Sequence, residues 1–186
     1  MATDQGMRYE LAGVVGALEV LAPLAAVHPA ARLVRLDAAG LGLVPVTEAL
    51  AAEVTPAMIC AMLEADIAGG PASTGRACAE VSTGPESGFT HLTAGLLSLL
   101  EAASAAGPVG YLEADYSGLD GYQTAAAWRD GTQILGPLLL GRSETFVSHE
   151  APISQVLRLL GVRRQGRRDE FVVSGLGRYR RTEDWA

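Results

Sequence analysis

Three consecutive segments of the chain constrain the fold most, because they read as strands joined by tight turns. The segments are residues 109–116 (VGYLEADY), 122–129 (YQTAAAWR) and 132–140 (TQILGPLLL). Asp130-Gly131, between the second and third segments, is the strongest short hairpin signal in the sequence, since a type I′ turn requires positive φ angles. The SGLDG connection at 117–121 is also rich in turn-forming residues. We therefore predict an antiparallel β-meander over residues 109–140.

The rest of the chain predicts helices grouped between strands. A strand is predicted over residues 8–16 and a hairpin over 32–46, where RLVRLD and LGLVPV flank a turn of small residues. Helices are predicted over residues 17–27, 47–54, from Thr55 onward, about 90–107 and 152–160. This order is typical of an α+β fold, with a largely antiparallel sheet and helices packed on it in a single layered domain.

Residues 1–186 are predicted to form one domain with three distinctive segments. Residues 1–6 are expected to be a frayed tail. Residues 69–88 are dense in Gly, Pro, Ser and Thr and predict a long flexible loop, where a lid or a partner contact is expected. Residues 163–186 are basic and are expected to pack on the body, with a short FVV strand at 171–173 and aromatic anchors at Phe171, Tyr179 and Trp185.

Residue types that are missing exclude several kinds of function. All 14 basic residues are arginine, so a P-loop lysine, a kinase lysine and a lysine Schiff base are excluded. Cys60 and Cys78 are the only cysteines, too few for a secreted disulfide framework; we predict a free buried pair, with a disulfide or redox switch as the alternative. The start of the sequence fits neither a signal peptide nor a membrane span, so we expect a cytoplasmic protein that is not bound to a membrane. No pattern indicates a cofactor.

The histidines do not predict a metal site or a catalytic triad. His28, His91 and His149 are far apart in the sequence and lack the spacing of zinc ligands. Ser148, His149 and Glu150 are consecutive, whereas a nucleophile, its base and the orienting acid usually come from separate segments. We therefore assign no metal-binding and no catalytic residues.

Glu113 and Asp115 are the first candidates for a binding site. Residues two apart on a strand project from the same face, with Cα atoms about 6.6 Å apart. Such a pair could bind an arginine or a divalent cation, or act as an acid and a base. A solvated sheet face, or a structural link to the C-terminal arginines, is the stronger interpretation. Val109 and Tyr111 share that face, so we do not expect it to be fully exposed.

The C-terminal arginines are the clearest charge feature. Seven arginines and four acids give residues 163–186 a charge of +3, which leaves −10 on residues 1–162 of a chain whose net charge is −7. We expect this segment, including Arg178 and Arg181, to dock onto the acidic body; an anion-binding or nucleic-acid-binding tail is the alternative.

Two stretches, YLEADYSGLDGYQTAAAWRDG and GLGRYRRTEDW, resemble a family of small bacterial, largely actinobacterial, proteins. The recurring pattern of that family is E-A-[DE]-Y, a glycine-rich turn, Q-x-A-x-x-W-x-DG and a closing GLGR-x-R-x-TEDW. The matching positions are Glu113, Tyr116, Gly121, Gln123, Trp128, Gly175, Gly177, Arg178 and Glu183. The chain departs from it at Ser117-Gly118-Leu119, where the pattern often has an aromatic residue and two glycines. Since the family carries no established activity, the resemblance implies a shared domain and no mechanism.

These features favour a non-catalytic protein that binds a protein partner, in the manner of immunity or antitoxin proteins. The alternative is a small enzyme or an anionic-ligand-binding domain that uses Glu113, Asp115 and the C-terminal arginines. A homodimer stays open, and nucleic-acid binding is disfavoured by the acidic balance. The candidate binding residues are Glu113, Asp115, Tyr116, Gln123, Trp128, Arg178 and Arg181.

Overall fold

A six-stranded antiparallel sheet forms the middle of the protein. The structure is a computed structural model that describes residues 8–38, 40–54, 88–117, 120–142 and 144–186. The strands are β1 (Arg8–Ala17), β2 (Val34–Arg35), β3 (Leu41–Pro45), β4 (Val109–Ser117), β5 (Asp120–Arg129) and β6 (Thr132–Leu140). They lie in the order β2-β3-β1-β4-β5-β6, and all neighbours run antiparallel. The predicted α+β fold with a largely antiparallel sheet is confirmed.

The predicted meander is the β4-β5-β6 half of this sheet. β4 pairs with β5 from Val109 opposite Trp128 to Ser117 opposite Asp120. In the turn between β5 and β6, Asp130 has φ +52° and Gly131 has φ +72°. Both central residues therefore have the positive φ that a type I′ hairpin requires, as the sequence predicts.

Helices cover both faces of the sheet. They are α1 (Leu18–Val27), α2 (Glu48–Glu53), α3 (Ala94–Ser104), α4 (Pro152–Leu159) and α5 (Glu170–Ser174), followed by short 3₁₀ turns at Leu176–Arg178 and Thr182–Trp185. Side chains alternate between faces along a strand, so Tyr111 packs with the α1–α3 layer and Leu112 with the layer of α4, α5 and the 3₁₀ turns. We call these the α3 face and the α4 face. In the described ranges no helix has the length and apolarity needed to cross a membrane.

Local capping explains where several helices begin. The hydroxyls of Thr47 and Thr93 accept hydrogen bonds from the Leu50 and Leu96 amides, each at 3.2 Å. The helix predicted over residues 47–54 is α2, and Thr47 is its N-cap. The helix predicted from about residue 90 begins at Ala94 instead, because Thr93 provides its cap.

The FVV strand predicted at 171–173 is wrong, because this stretch lies in helix α5. The Asp169 carboxylate accepts a hydrogen bond from Val172 N at 2.9 Å and caps the helix, and Gly175 ends it with φ +81°. These two local signals outweigh the strand preference of Phe and Val. The helix predicted from Thr55, the loop predicted at 69–88 except its last residue, and the tail at 1–6 lie outside the described residues.

The C-terminal segment closes part of the edge of β1. β3 pairs only with Gly13 to Ala17 of that strand. Beyond that point, Glu10 N donates to the Arg180 carbonyl at 2.7 Å, and Ala12 N donates to Thr182 Oγ1 at 2.9 Å. Thr182 is buried, as are Leu176 and Trp185. The segment therefore continues the hydrogen bonding of β1 where β3 stops.

Candidate functional site

A cavity of about 330 Å³ lies on the α4 face, at the end of the sheet where β1 and β5 begin and β4 ends. We call it the tyrosine cavity. Its lining residues come from three strands, from α4 and α5, and from the chain segments that precede these helices: Tyr9, Tyr116, Gln123, Phe146, Ala151, Ile153, Ser154, Asp169 and Phe171. At about 330 Å³ it is within the size range of sites that take a small molecule or a large side chain.

The strand register brings together the part of the cavity that the sheet provides. Tyr9 on β1 lies directly opposite Tyr116 on β4, and Tyr116 lies opposite Gly121 on β5. A Cβ atom at position 121 would overlap the Tyr116 ring and the Asp115 carbonyl. Glycine at this position therefore lets the Tyr116 ring lie close to β5. Gln123 follows two residues later and projects from the same face.

Aromatic rings form much of the cavity wall. Tyr9 and Phe171 pack edge to face, with ring centroids 5.7 Å apart. The Tyr9 hydroxyl donates to the Leu176 carbonyl at 3.0 Å, and burial raises the pKa of this phenol well above its ordinary value. Tyr9 is therefore neutral and held in place. Phe146 remains about half exposed, with 53% of its surface accessible to solvent.

Few polar groups face this apolar wall. Gln123 is buried, and its Oε1 accepts a hydrogen bond from Ile153 N at 3.4 Å, at the start of α4. The Tyr116 hydroxyl is covered by protein atoms and makes no hydrogen bond of normal geometry within the described ranges. Burial raises the pKa of Tyr116, and the neighbouring Gln123 amide offsets part of that effect. Asp169, the one charged residue among the described lining residues, uses one carboxylate oxygen to cap α5.

Glu113, the first residue predicted for a binding site, lies on the other face of the sheet, the α3 face. There it is a structural anchor for the chain that precedes α3. It is buried, its Oε2 accepts from Thr90 N at 2.7 Å, and its Oε1 accepts from His91 N at 2.7 Å. The Tyr111 hydroxyl also donates to Oε1 at 2.9 Å. Burial, together with the Glu113 charge, raises the pKa of Tyr111 well above its ordinary value. Three donors thus hold the carboxylate, which fixes the chain leading into α3.

The structure does not bring Glu113, Asp115, Arg178 and Arg181 together. Asp115 accepts two hydrogen bonds from the Arg8 guanidinium, both at 3.1 Å. Arg178 pairs with Asp37, and the Arg181 amide donates to Asp184 Oδ2 at 3.2 Å. The site that the sequence suggests, built from two carboxylates and the C-terminal arginines, is therefore not assembled as one cluster.

The remaining predicted residues divide between the two faces. Trp128 is buried in the core on the α3 face, whereas Tyr116 and Gln123 line the tyrosine cavity. Sequence reasoning did not assign Tyr9, Phe146, Ser154 and Asp169 to a site. Their sequence neighbourhoods contain no signal for one, because the strand register and the packing of α4 and α5 bring them together.

The described residues show no arrangement typical of metal or triad chemistry. They contain no group of three or more His, Cys, Asp or Glu side chains that could hold a metal ion. His149 Nε2 lies 3.5 Å from Glu150 Oε1, but both side chains are more than half exposed. Cys60 and Cys78 lie outside the described ranges.

Comparison of the chain with protein-family models, with curated proteins and with solved structures finds no match.

Proposed function

We propose that the protein is a non-catalytic binding protein, and that its tyrosine cavity takes an aromatic or branched apolar side chain of a protein partner. The observation that carries this proposal is a cavity of about 330 Å³ with an aromatic wall and a half-exposed Phe146. Residues that dominate binding at protein interfaces are often large side chains in such pockets.

The chemistry of the wall favours binding over catalysis. The lining residues within the described part of the chain include no histidine, cysteine or arginine. Ser154 provides a hydroxyl, but to act as a nucleophile this hydroxyl would need a general base within hydrogen-bond reach. Asp169 is engaged in capping α5. A wall of this composition supports shape recognition of an apolar group, with the buried Gln123 amide as a polar contact.

An immunity-like or antitoxin-like role is the most specific form of this proposal. The net charge of −7 supports it, because an acidic surface speeds the encounter with a basic partner. In this form the partner is a toxin domain with a basic surface. The alternative site of Glu113, Asp115 and the C-terminal arginines receives less support, because those side chains pair with different groups in different places.

Selection of displayed peptides on the purified protein tests the cavity directly. We expect the enriched peptides to share one aromatic or branched apolar residue. Phe146→Ala should weaken their binding at least fivefold, because it removes an exposed ring from the cavity wall. Val27→Ala is the matched control, since Val27 is also about half exposed but lies at the end of α1 on the other face.

A cavity-filling variant provides the second test. Ser154→Phe places a ring in the cavity and should abolish binding of the selected peptides, provided that its circular dichroism spectrum matches that of the unmodified protein. If Ser154→Phe does not fold, the comparison of Phe146→Ala with Val27→Ala tests the proposal by itself. The proposal is wrong if no peptide is enriched, or if Phe146→Ala and Val27→Ala bind the selected peptides equally well.

A further inference from the structure

An exposed turn between α4 and α5 presents four arginines, namely Arg163, Arg164, Arg167 and Arg168. We call residues 163–168 the arginine turn. Gln165 N donates to the Arg168 carbonyl and Arg168 N donates to the Gln165 carbonyl, both at 3.0 Å. Gly166 has φ +59°, and glycine at the first central position is typical of a tight two-residue hairpin turn. The backbone that holds the four side chains is therefore well defined.

Both ends of the arginine turn are fixed to the body. Val162 before it and Glu170 after it are buried. Glu170 Oε1 accepts a hydrogen bond from Arg158 Nε at 2.9 Å, and the Asp169 carboxylate caps α5. The carboxylates of the two acidic residues that follow the turn thus make these hydrogen bonds with groups outside it.

The arginines of the turn form no salt bridge with any residue in the described ranges. The turn carries four positive charges, which leaves −11 on the rest of a chain whose net charge is −7. Arg164 interacts electrostatically with Glu170. Among the residues that the structure describes, Arg163, Arg167 and Arg168 form no salt bridge, whereas Arg8, Arg142, Arg158 and Arg178 do.

We propose that the arginine turn binds a carboxylate-rich segment of another protein. Each guanidinium presents parallel N–H donors in a planar fork, which matches the two oxygens of a carboxylate. The adjacent pairs Arg163-Arg164 and Arg167-Arg168 are held close together by the hairpin, so several acidic side chains of one extended segment can be contacted at once.

A protein segment fits this turn better than a nucleic acid does. Nucleic-acid binding depends on positive charge distributed along a phosphate backbone. Here four of the 14 arginines are clustered in one six-residue turn, and the rest of the chain has a net charge of −11, which repels a long polyanion. A short acidic peptide segment can reach the turn without crossing the acidic body.

This inference does not depend on the tyrosine cavity. The arginine turn lies before Asp169 in the sequence, and none of its arginines lines the cavity. Ser154→Phe should leave binding at the turn unchanged, so either proposal can fail without the other.

The test measures binding of a fluorescently labelled octaglutamate peptide to the full chain by fluorescence anisotropy. Arg167→Gln/Arg168→Gln should weaken binding at least tenfold. Arg32→Gln/Arg35→Gln is the matched control, because it removes the same charge from two exposed arginines that form no salt bridge in the described part. The control should change the affinity less than twofold. Arg167→Lys/Arg168→Lys should give an intermediate loss, since lysine keeps the charge but not the fork.

Three results would overturn the proposal. The first is no measurable octaglutamate binding at low salt. The second is an equal loss in the two double variants, which would indicate an effect of net charge alone. The third is tighter binding of a labelled fifteen-nucleotide thymidine oligomer than of octaglutamate, which would assign the turn to nucleic acid instead.

Discussion

Tyr9 and Tyr116 lie directly opposite each other on β1 and β4, and their hydroxyls differ in hydrogen bonding. The Tyr9 hydroxyl donates to the Leu176 carbonyl at 3.0 Å, whereas the Tyr116 hydroxyl makes no hydrogen bond of normal geometry among the described residues. Two identical side chains in one cavity therefore contribute differently to stability. Removing each hydroxyl separately measures that difference.

Tyr9→Phe should lower the free energy of unfolding, and Tyr116→Phe should not. The first change removes a hydrogen bond, which costs about 0.5–1.5 kcal/mol. The second removes a buried hydroxyl that has no hydrogen bond of normal geometry to any described residue, so we expect a change within about 0.5 kcal/mol of zero, or a slight gain in stability. Urea denaturation measures both values. Equal losses would show that the Gln123 amide forms a true hydrogen bond with the Tyr116 hydroxyl.

Glu113→Gln should destabilise the protein strongly. The carboxylate accepts from two backbone amides and from the Tyr111 hydroxyl, and the neutral amide cannot accept at both ends. Losing bonds to a buried charged group costs about 3 kcal/mol. Hydrogen exchange at Thr90 and His91 should become faster.

Asp115→Asn is the control for that change. Asp115 pairs with Arg8, whose side chain is 60% exposed, and such pairs contribute less than about 1 kcal/mol. A loss for Asp115→Asn as large as that for Glu113→Gln would contradict the assignment of Glu113 as the anchor.

Thr182→Val should weaken the attachment of the C-terminal segment to β1. The hydroxyl accepts from Ala12 N at 2.9 Å in a buried position, and valine leaves that amide without a partner, at a cost of about 1–3 kcal/mol. Arg180→Gln is the control, because Arg180 contacts β1 through its backbone carbonyl. Hydrogen exchange at Ala12 should rise in the first variant only; protection that stays unchanged would argue against this contact.

Glu170 should make the stability depend on pH. Burial favours the neutral form, but the hydrogen bond from Arg158, the residue's own backbone amide and the charges of Arg158 and Arg164 outweigh it and lower the pKa below 4.5. Because the folded-state pKa is lowered, the stabilisation is present above pH 4.5 and is lost as the pH falls through the folded-state value.

Glu170→Gln isolates this effect, since glutamine does not titrate. The difference in unfolding free energy between the unmodified protein and this variant should shrink as the pH is lowered from 7 toward 3, as measured by urea denaturation at each pH. A difference that stays constant over this range would show that Glu170 does not titrate as described.

The sequence predicts the parts of the fold that depend on local signals. Asp130-Gly131 locates the β5–β6 hairpin, and Thr47 locates the start of α2. The position of β1 between β3 and β4 has no such signal, because it joins strands that are far apart in the chain. Its register also decides which residues reach the cavity.

The site is less predictable than the fold, because its residues come together from distant parts of the chain. Strand alternation correctly places Glu113 and Asp115 on one face, but it gives no information about their partners. Glu113 binds amides 22 and 23 residues away, and Asp115 binds an arginine 107 residues away. Tyr116 and Gln123 are named from the sequence, whereas Tyr9 and Phe171 join them only through the three-dimensional packing.

The closure of β1 by Arg180 and Thr182 has a consequence for biosynthesis. Ala12 and Thr182 are separated by 170 residues, so a ribosome makes the donor long before its acceptor. During that interval the first half of a central strand offers free amides to any other extended chain. Until residues 180–182 have been synthesised, the amides of Glu10 and Ala12 therefore lack these two acceptors and are open to pairing with another strand.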